Sequence, residues 1–192
     1  MTSKILNILC KTTWMSSFIL LTMSKAVLWR GLSDDVLFEC NFSQDSCRME
    51  NQEVTEAQWQ RTFLNEGGIS GYALVVRGNE AQNHIARILT PNLSTLGLRE
   101  GCLSFRYYLE GMKPVSLSVI KQGYVTQYVF STAYKTEGHW KQAAVDVQFL
   151  GDYAMFYFEA DTQVQDFDDS LVAISDIKIT SQTCVEMKQR SE

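Results

Sequence analysis

The chain has 192 residues, a formal net charge of −5 at pH 7, five cysteines and only two prolines. Its lysines and arginines are scattered, so there is no electrostatic footprint for a phosphate backbone, and nucleic acid is excluded as the expected partner. Behind an N-terminal leader, what remains has the size of one ordinary domain, large enough to bury a core of its own.

Lys4 and Lys11 precede an apolar stretch from Trp14 to Met23 that has no acidic residue. Its apolar core of about ten residues falls short of the roughly 20 that a helix needs to cross a bilayer, and Ser24 and Ala26 place small side chains before a cut. Residues 1–26 are read as a signal peptide cleaved after Ala26. An uncleaved anchor is the alternative, because Ile5 to Cys10 is also largely apolar. Residues 27–37 form a short lead-in to a domain spanning 38–184, and 185–192 form a polar C-terminal tail without the hydrophobic character of a lipid-anchor signal. The expected product is secreted, extracellular and free of a membrane span once the leader is removed.

From Val36 onward, short apolar segments recur between turn signals at intervals of about ten residues, and no stretch sustains a helical period, which predicts an all-β chain. Gly71 to Val76 and His84 to Pro91 read as strands, and Leu93 to Gly101 as an irregular connection. Next, Cys102 to Leu109 alternates, with Leu103, Phe105, Tyr107 and Leu109 on one face. Val115 to Val119 and Tyr124 to Thr132 read as a hairpin across Lys121-Gln122-Gly123. A strand from Trp140 to Phe149 is followed by Tyr153 to Ala160, whose aromatics on both faces suit a central position. The last strand, Leu171 to Thr180, places Ala173, Ser175, Ile177 and Ile179 on one face. Nine or ten strands exceed what one open sheet usually holds, so two packed sheets are expected.

Cys40, Cys47, Cys102 and Cys184 lie within this β-type span. Four cysteines permit three pairings, which spacing alone leaves open. The secretory leader favours disulfides over a zinc site.

The ordered fragments F-E-C-N-F-S-Q-D-S-C, W-Q-R, G-Y-A-L, A-R-I-L-T-P, C-L-S-F-R-Y-Y-L-E-G, a lone W, F-E-A and V-A-I-S-D-I before a closing C run from Phe38 to Cys184. Together they resemble the MAM domain of extracellular and cell-surface proteins. The resemblance implies a jelly-roll β-sandwich of two antiparallel sheets, with Cys40 paired to Cys47 and Cys102 to Cys184, and a role in adhesion or protein association. The chain departs from the family pattern where C-D-F-E is usual and Asn41 and Ser43 stand here, and where A-L-D-D-I reads Ala173-Ile174-Ser175-Asp176-Ile177. Some family members bind a cation near those places, and each departure removes a carboxylate.

Among candidate sites, Asp166, Asp168 and Asp169, with Asp176 downstream, could supply oxygens to calcium, against the commoner reading of a solvated acidic loop. Asn41-Phe42-Ser43 and Asn92-Leu93-Ser94 match the N-x-[ST] glycosylation acceptor, Asn92 in the more open setting. Trp59 and Trp140 read as core residues, and the numerous tyrosines as partly exposed interface material. For catalysis the residues offer little. His84 and His139 neighbour no nucleophile motif, and Glu110 with Glu159 is a conceivable carboxylate pair that nothing singles out. The reading is a secreted module without catalytic activity that binds an extracellular or cell-surface protein, self-association included. Its rival is a carbohydrate-binding, lectin-like sandwich.

Overall fold

The computed structural model describes residues 36–82, 84–162 and 169–190. The expected leader, most of the lead-in, and Asp166 and Asp168 lie outside the described residues.

Two six-stranded sheets form the domain. The first holds β1 (Val36–Cys40), β3 (Gln60–Glu66), β4 (Ile69–Arg77), β7 (Glu100–Glu110), β10 (Lys141–Gln148) and β12 (Leu171–Thr180), in the order β10-β7-β12-β4-β3. One edge of β12 is shared: β4 pairs with Leu171 to Ile174, and β1 takes over from Ile177 to Thr180. The second sheet holds β2 (Glu50–Asn51), β5 (Ala86–Leu89), β6 (Leu93–Ser94), β8 (Ser116–Gln122), β9 (Gln127–Thr132) and β11 (Tyr153–Asp161), in the order β2-β5-β11-β8-β9. There β11 is central, as its two apolar faces suggest, with β5 and β6 sharing one of its edges. Among the described residues there are also two short helices, α1 (Gly78–Ala81) and α2 (Cys184–Arg190). This is the jelly-roll sandwich that the sequence points to.

Period-two alternation builds the core. Leu103, Phe105 and Leu109 of β7, Ile174, Ile177 and Ile179 of β12, Leu117 and Val119 of β8, and Phe156 and Phe158 of β11 all join one buried cluster. The rings of Phe105 and Phe158 meet edge to face at 5.4 Å between centroids, which bolts the two sheets together. Such a pair contributes about 0.5–1.5 kcal/mol beyond its area burial. Trp59 is buried, as expected, and its indole N–H donates to the carbonyls of Ala86 and Phe158 at 3.2 Å each.

β12 departs from the expected face. Its pairing with β7 passes from Ser175↔Arg106 to Lys178↔Ser104, so two residues oppose one, and Asp176 takes a φ of 50°. This β-bulge reverses the alternation. Ile174, Ile177 and Ile179 therefore face the main core, while Ala173 faces a second, outer cluster.

That outer cluster covers the far face of the first sheet. β3 and β4 are joined by Gly67 and Gly68, with φ of 61° and 79°, the two-residue turn that matches strand twist. The tip reaches β7. A Cβ at Gly67 would stand 2.8 Å from Tyr108 and 2.9 Å from Trp140. The Trp140 indole N–H donates to the Glu66 carbonyl at 3.0 Å, its ring lies 5.7 Å from that of Tyr108, and it packs against the outer cluster that includes Leu64, Val75 and Ala173.

The C-terminal segment expected as a polar tail is helical from Cys184 to Arg190. Thr183 and Glu186 make a reciprocal capping box, Glu186 Oε2 accepting from the Thr183 amide at 3.0 Å and Thr183 Oγ1 from the Glu186 amide at 3.4 Å. Among the described residues no helix is long and apolar enough to cross a membrane.

Candidate interaction surface

With Phe156 and Phe158 turned inward, the intervening residues of β11 must point away from the core. The pairing registers align them with neighbouring strands into two rows on the outer face of the second sheet. One row runs Glu50, Leu89, Tyr157, Ile120, Tyr128. The other runs Arg87, Glu159, Ser118, Ser131. Arg87 Nε donates to Glu159 Oε2 at 2.5 Å and Arg87 Nη1 to Gln52 Oε1 at 3.4 Å, while the hydroxyls of Ser118 and Ser131 lie 3.0 Å apart. An apolar row thus lies beside a hydrogen-bonding row, and Tyr128 at its end is 65% exposed.

At one end of the sandwich the turn after β8 meets the turn after β10. A Cβ at Gly151 would stand 3.5 Å from the Cβ of Tyr124, and Thr95 Oγ1 donates to the Gly151 carbonyl at 2.6 Å. Tyr124, Val125, Leu150 and Tyr153 are all exposed there. Between β9 and β10, the edge strands on one side of the sandwich, lies a groove of about 300 Å³ lined by Glu100, Gln127, Tyr128, Asp146 and Gln148 among others. A second cavity, about 500 Å³, opens between the β2 region and the segment carrying Pro91 and Asn92.

Lys121 lies on the core side of β8 and is 2% exposed. Its ammonium donates to the Gln148 carbonyl of β10, and burial pushes its pKa below the ordinary lysine value. Tyr108 shows the opposite sign: burial raises its phenol, and the charges of Glu110 and Glu66 raise it further.

Both disulfides that the resemblance implies are formed, Cys40–Cys47 and Cys102–Cys184, with Cα separations of 5.9 and 4.9 Å. Asp146 Oδ1 accepts from the Cys184 amide at 2.6 Å and anchors α2 beside the second bridge. Cys102, Asp146 and Cys184 cluster tightly, but both sulfurs are spent in the bridge and leave no thiolate for a metal.

The expected calcium residues are not gathered into one described site. Asp169 is exposed, and Asp176 sits in the bulge with Oδ2 3.4 Å from Arg106 Nη1. At the departure from C-D-F-E, Arg61 Nε donates to the Phe42 carbonyl and Arg61 Nη2 to the Ser43 carbonyl, each at 2.8 Å. Its guanidinium also stacks 3.7 Å over the Tyr72 ring. A fixed cation already holds these carbonyls, so the described residues there do not fit calcium, which needs about six to eight oxygens including several carboxylates.

Asn41 and Asn92 are both exposed. Asn41 Oδ1 accepts from the Ser43 amide at 3.0 Å inside the small disulfide loop, whereas Asn92 is among the residues that line the second cavity. His84 pairs with Glu56 at 2.7 Å on the surface. Glu110 and Glu159 lie on different sheets, the first accepting from the Gly138 amide at 2.5 Å and the second held by Arg87. They do not form a facing pair. Sequence reasoning missed the Arg87–Glu159 pair and buried Lys121. Lys121 was legible, because it shares the parity of Leu117 and Val119 on β8.

Two antiparallel sheets packed face to face and stapled by two disulfides define the class of jelly-roll β-sandwich domains. The family described as MAM domain, meprin/A5/mu matches residues 40–185, and the chain belongs to it. No curated protein matches the chain closely enough to count as a relative. Among solved structures it is similar to the K1 cleaved adhesin domain of Lys-gingipain from Porphyromonas gingivalis W83, at 12% identity and a TM-score of 0.61, covering 76% of this chain and 98% of that one. It is also similar to the Clostridium thermocellum xylanase 10B CBM22-1–GH10 modules complexed with xylohexaose, at 12% identity and a TM-score of 0.53, covering 79% of this chain and 29% of that one. TmCBM61 in complex with β-1,4-galactotriose is similar at 12% identity and a TM-score of 0.50, covering 70% of this chain and 88% of that one. At such identities the likeness is one of fold.

Proposed function

We propose that this chain is a secreted extracellular module that binds another extracellular or cell-surface protein by surface complementarity, with no bond chemistry. The observation that carries the reading is the outer face of the second sheet, where the Leu89–Tyr157–Ile120–Tyr128 row, half-buried at Leu89 and Tyr157, buried at Ile120 and exposed at Tyr128, lies beside a hydrogen-bonded polar row. An apolar strip with a polar flank suits protein association, and tyrosines supply large contact area at low rotamer cost. MAM membership supports the same reading. The chain enters the secretory route behind residues 1–26 and carries glycan at Asn92 and Asn41. Binding needs no calcium.

The test is binding of the purified secreted protein to intact cell surfaces, compared with a Tyr128→Ala/Tyr157→Ala variant shown by circular dichroism to be folded. Loss of most of the signal supports the reading. Unchanged binding would remove this face from it, and absence of any protein ligand would remove the reading itself.

A carbohydrate-binding role is the second reading. Tyr128 and Tyr157 beside the hydrogen-bonding groups of Arg87, Glu159 and Gln52 would suit a saccharide, and two of the similar folds are in complexes with xylohexaose and β-1,4-galactotriose. A glycan array separates the two readings, because a protein-association surface leaves it blank.

A further inference from the structure

The second cavity, about 500 Å³, lies within the roughly 300–1,000 Å³ that small-molecule sites occupy. Its walls divide by chemistry. Leu89, Pro91 and Met155, all half-buried, offer apolar surface, while Arg48, Glu50 and Gln52 bring a guanidinium, a carboxylate and an amide. Met155 shares the outer parity of Tyr157 and Glu159 on β11, and Leu89 stands between Glu50 and Tyr157 in the register, so the cavity forms the β2 end of the outer face. Asn92 lines it too. That residue is exposed and opens the acceptor Asn92-Leu93-Ser94, and the backbone on either side of it is fixed. The Thr90 amide donates to the Phe156 carbonyl at 2.9 Å, Thr90 Oγ1 accepts from the Phe156 amide at 3.0 Å, and Leu93 pairs with Ala154. A group attached to Asn92 therefore leaves from a fixed point in the cavity wall.

We infer that the glycan carried by Asn92 folds back into this cavity, seating its first N-acetylglucosamine on Leu89, Pro91 and Met155 and closing the β2 end of the outer face. This inference rests on the secretory reading above and names what controls access to the surface proposed there. A pyranose ring is amphipathic. Its C–H face covers apolar side chains, while its hydroxyls and acetamide need the donors and acceptors that Arg48, Gln52 and Glu50 supply. Tethering then decides the occupant. A group on a short linker meets its site at an effective concentration in the millimolar range, so a contact too weak to capture a free saccharide from dilute solution is still filled by the attached one. Little ordering remains to oppose it, because the backbone around Asn92 is already held to β11. Leu89 belongs to both the cavity and the apolar row, so a seated sugar covers that end of the row and leaves Tyr157 and Tyr128 for a protein partner.

Methionine oxidation reads the cavity directly, because peroxide converts an accessible thioether to the sulfoxide. The full-length chain secreted from cells is compared with Ser94→Ala, which keeps Asn92 but removes the acceptor, and with secreted protein trimmed by glycosidase to a single N-acetylglucosamine. Met112, 92% exposed, is the internal standard. Relative to Met112, sulfoxide at Met155 should form at least about twofold more slowly in both glycosylated forms than in Ser94→Ala, as a site at least half filled requires. Enzymatic removal of the whole glycan from the folded protein should reproduce the Ser94→Ala rate, which decides the matter even where the variant folds poorly. Equal rates in all forms, or an unmodified Asn92, overturn the inference. It is also overturned if free N-acetylglucosamine protects Met155 in Ser94→Ala while the attached glycan does not, since the cavity would then serve a free saccharide. Cell-surface binding that is lost on Tyr128→Ala/Tyr157→Ala, with Met155 indifferent to the glycan, keeps the association reading and removes this one. Protection of Met155 by the glycan without any cell-surface ligand does the reverse.

Discussion

Lys121 of the second sheet reaches through the core to donate its ammonium to the carbonyl of Gln148 in the first. It ties together the β9 and β10 side of the sandwich, where the aromatic bolts of the centre give way to a groove. A cation buried here costs desolvation free energy, which the lowered pKa records.

The sign of that shift sets a pH dependence. With the folded pKa below the ordinary 10.5, the unfolded chain binds more protons than the folded one between those two values, so stability rises with pH across that window. Lys121→Met removes the linkage. At pH 7 the variant should match or exceed the wild type by about 1 kcal/mol, since a lost hydrogen bond opposes a relieved desolvation. Urea titrations at pH 7 and near pH 10 should show the wild type gaining on the variant as pH rises, and a gap independent of pH would refute the assignment.

The two disulfides should differ in weight. Cys102–Cys184 closes a separation of 82 residues and Cys40–Cys47 one of seven. In the chain-entropy model these correspond to about 4.5 and about 2.4 kcal/mol. Replacing the long-range pair by alanines should lower the denaturation midpoint well beyond replacement of the short-range pair. Equal losses would show that strain or residual denatured structure, not loop closure, governs them.

Gly67→Ala and Gly68→Ala separate backbone strain from steric conflict. Both positions have positive φ, but only at Gly67 would the added carbon meet Tyr108 and Trp140, with nothing within 4 Å at Gly68. Gly68→Ala should cost about 1 kcal/mol, and Gly67→Ala up to about 3 kcal/mol. Tryptophan fluorescence should change in Gly67→Ala alone if the tip of the β3–β4 hairpin lifts from Trp140.

Asn92→Gln, expressed in secretory cells, should lose one glycan's mass on a denaturing gel, and Asn41→Gln should shift less of the population. Both asparagines are exposed, but Asn41 is held in a local turn within a seven-residue disulfide loop. Peptide mapping after glycosidase treatment gives the occupancy of each, and an unmodified Asn92 would contradict the expectation.

Residue order alone determined the class of this protein. Alternation every second residue set the strands and their buried faces, as in Leu103, Phe105 and Leu109, and the ordered motifs with four cysteines carried the family resemblance, which implied the two bridges that the structure forms. These signals are local, or they are carried whole by the resemblance. The capping box of Thr183 and Glu186 was equally local and marked a helix where a tail was expected. Tertiary structure decided what depends on pairing between distant strands. The bulge at Asp176 exists only because β12 must register with Arg106 and Ser104 of β7, and it reversed the face assigned to Ala173. Arg61 became the cation held by Phe42 and Ser43 only once β3 was laid beside the first loop. Likewise, β9 is an edge strand, paired among the described strands with β8 alone, because of its place at the end of the second sheet. A strand's own residues set which way its side chains point, but sheet order sets which of its backbone groups remain for a partner.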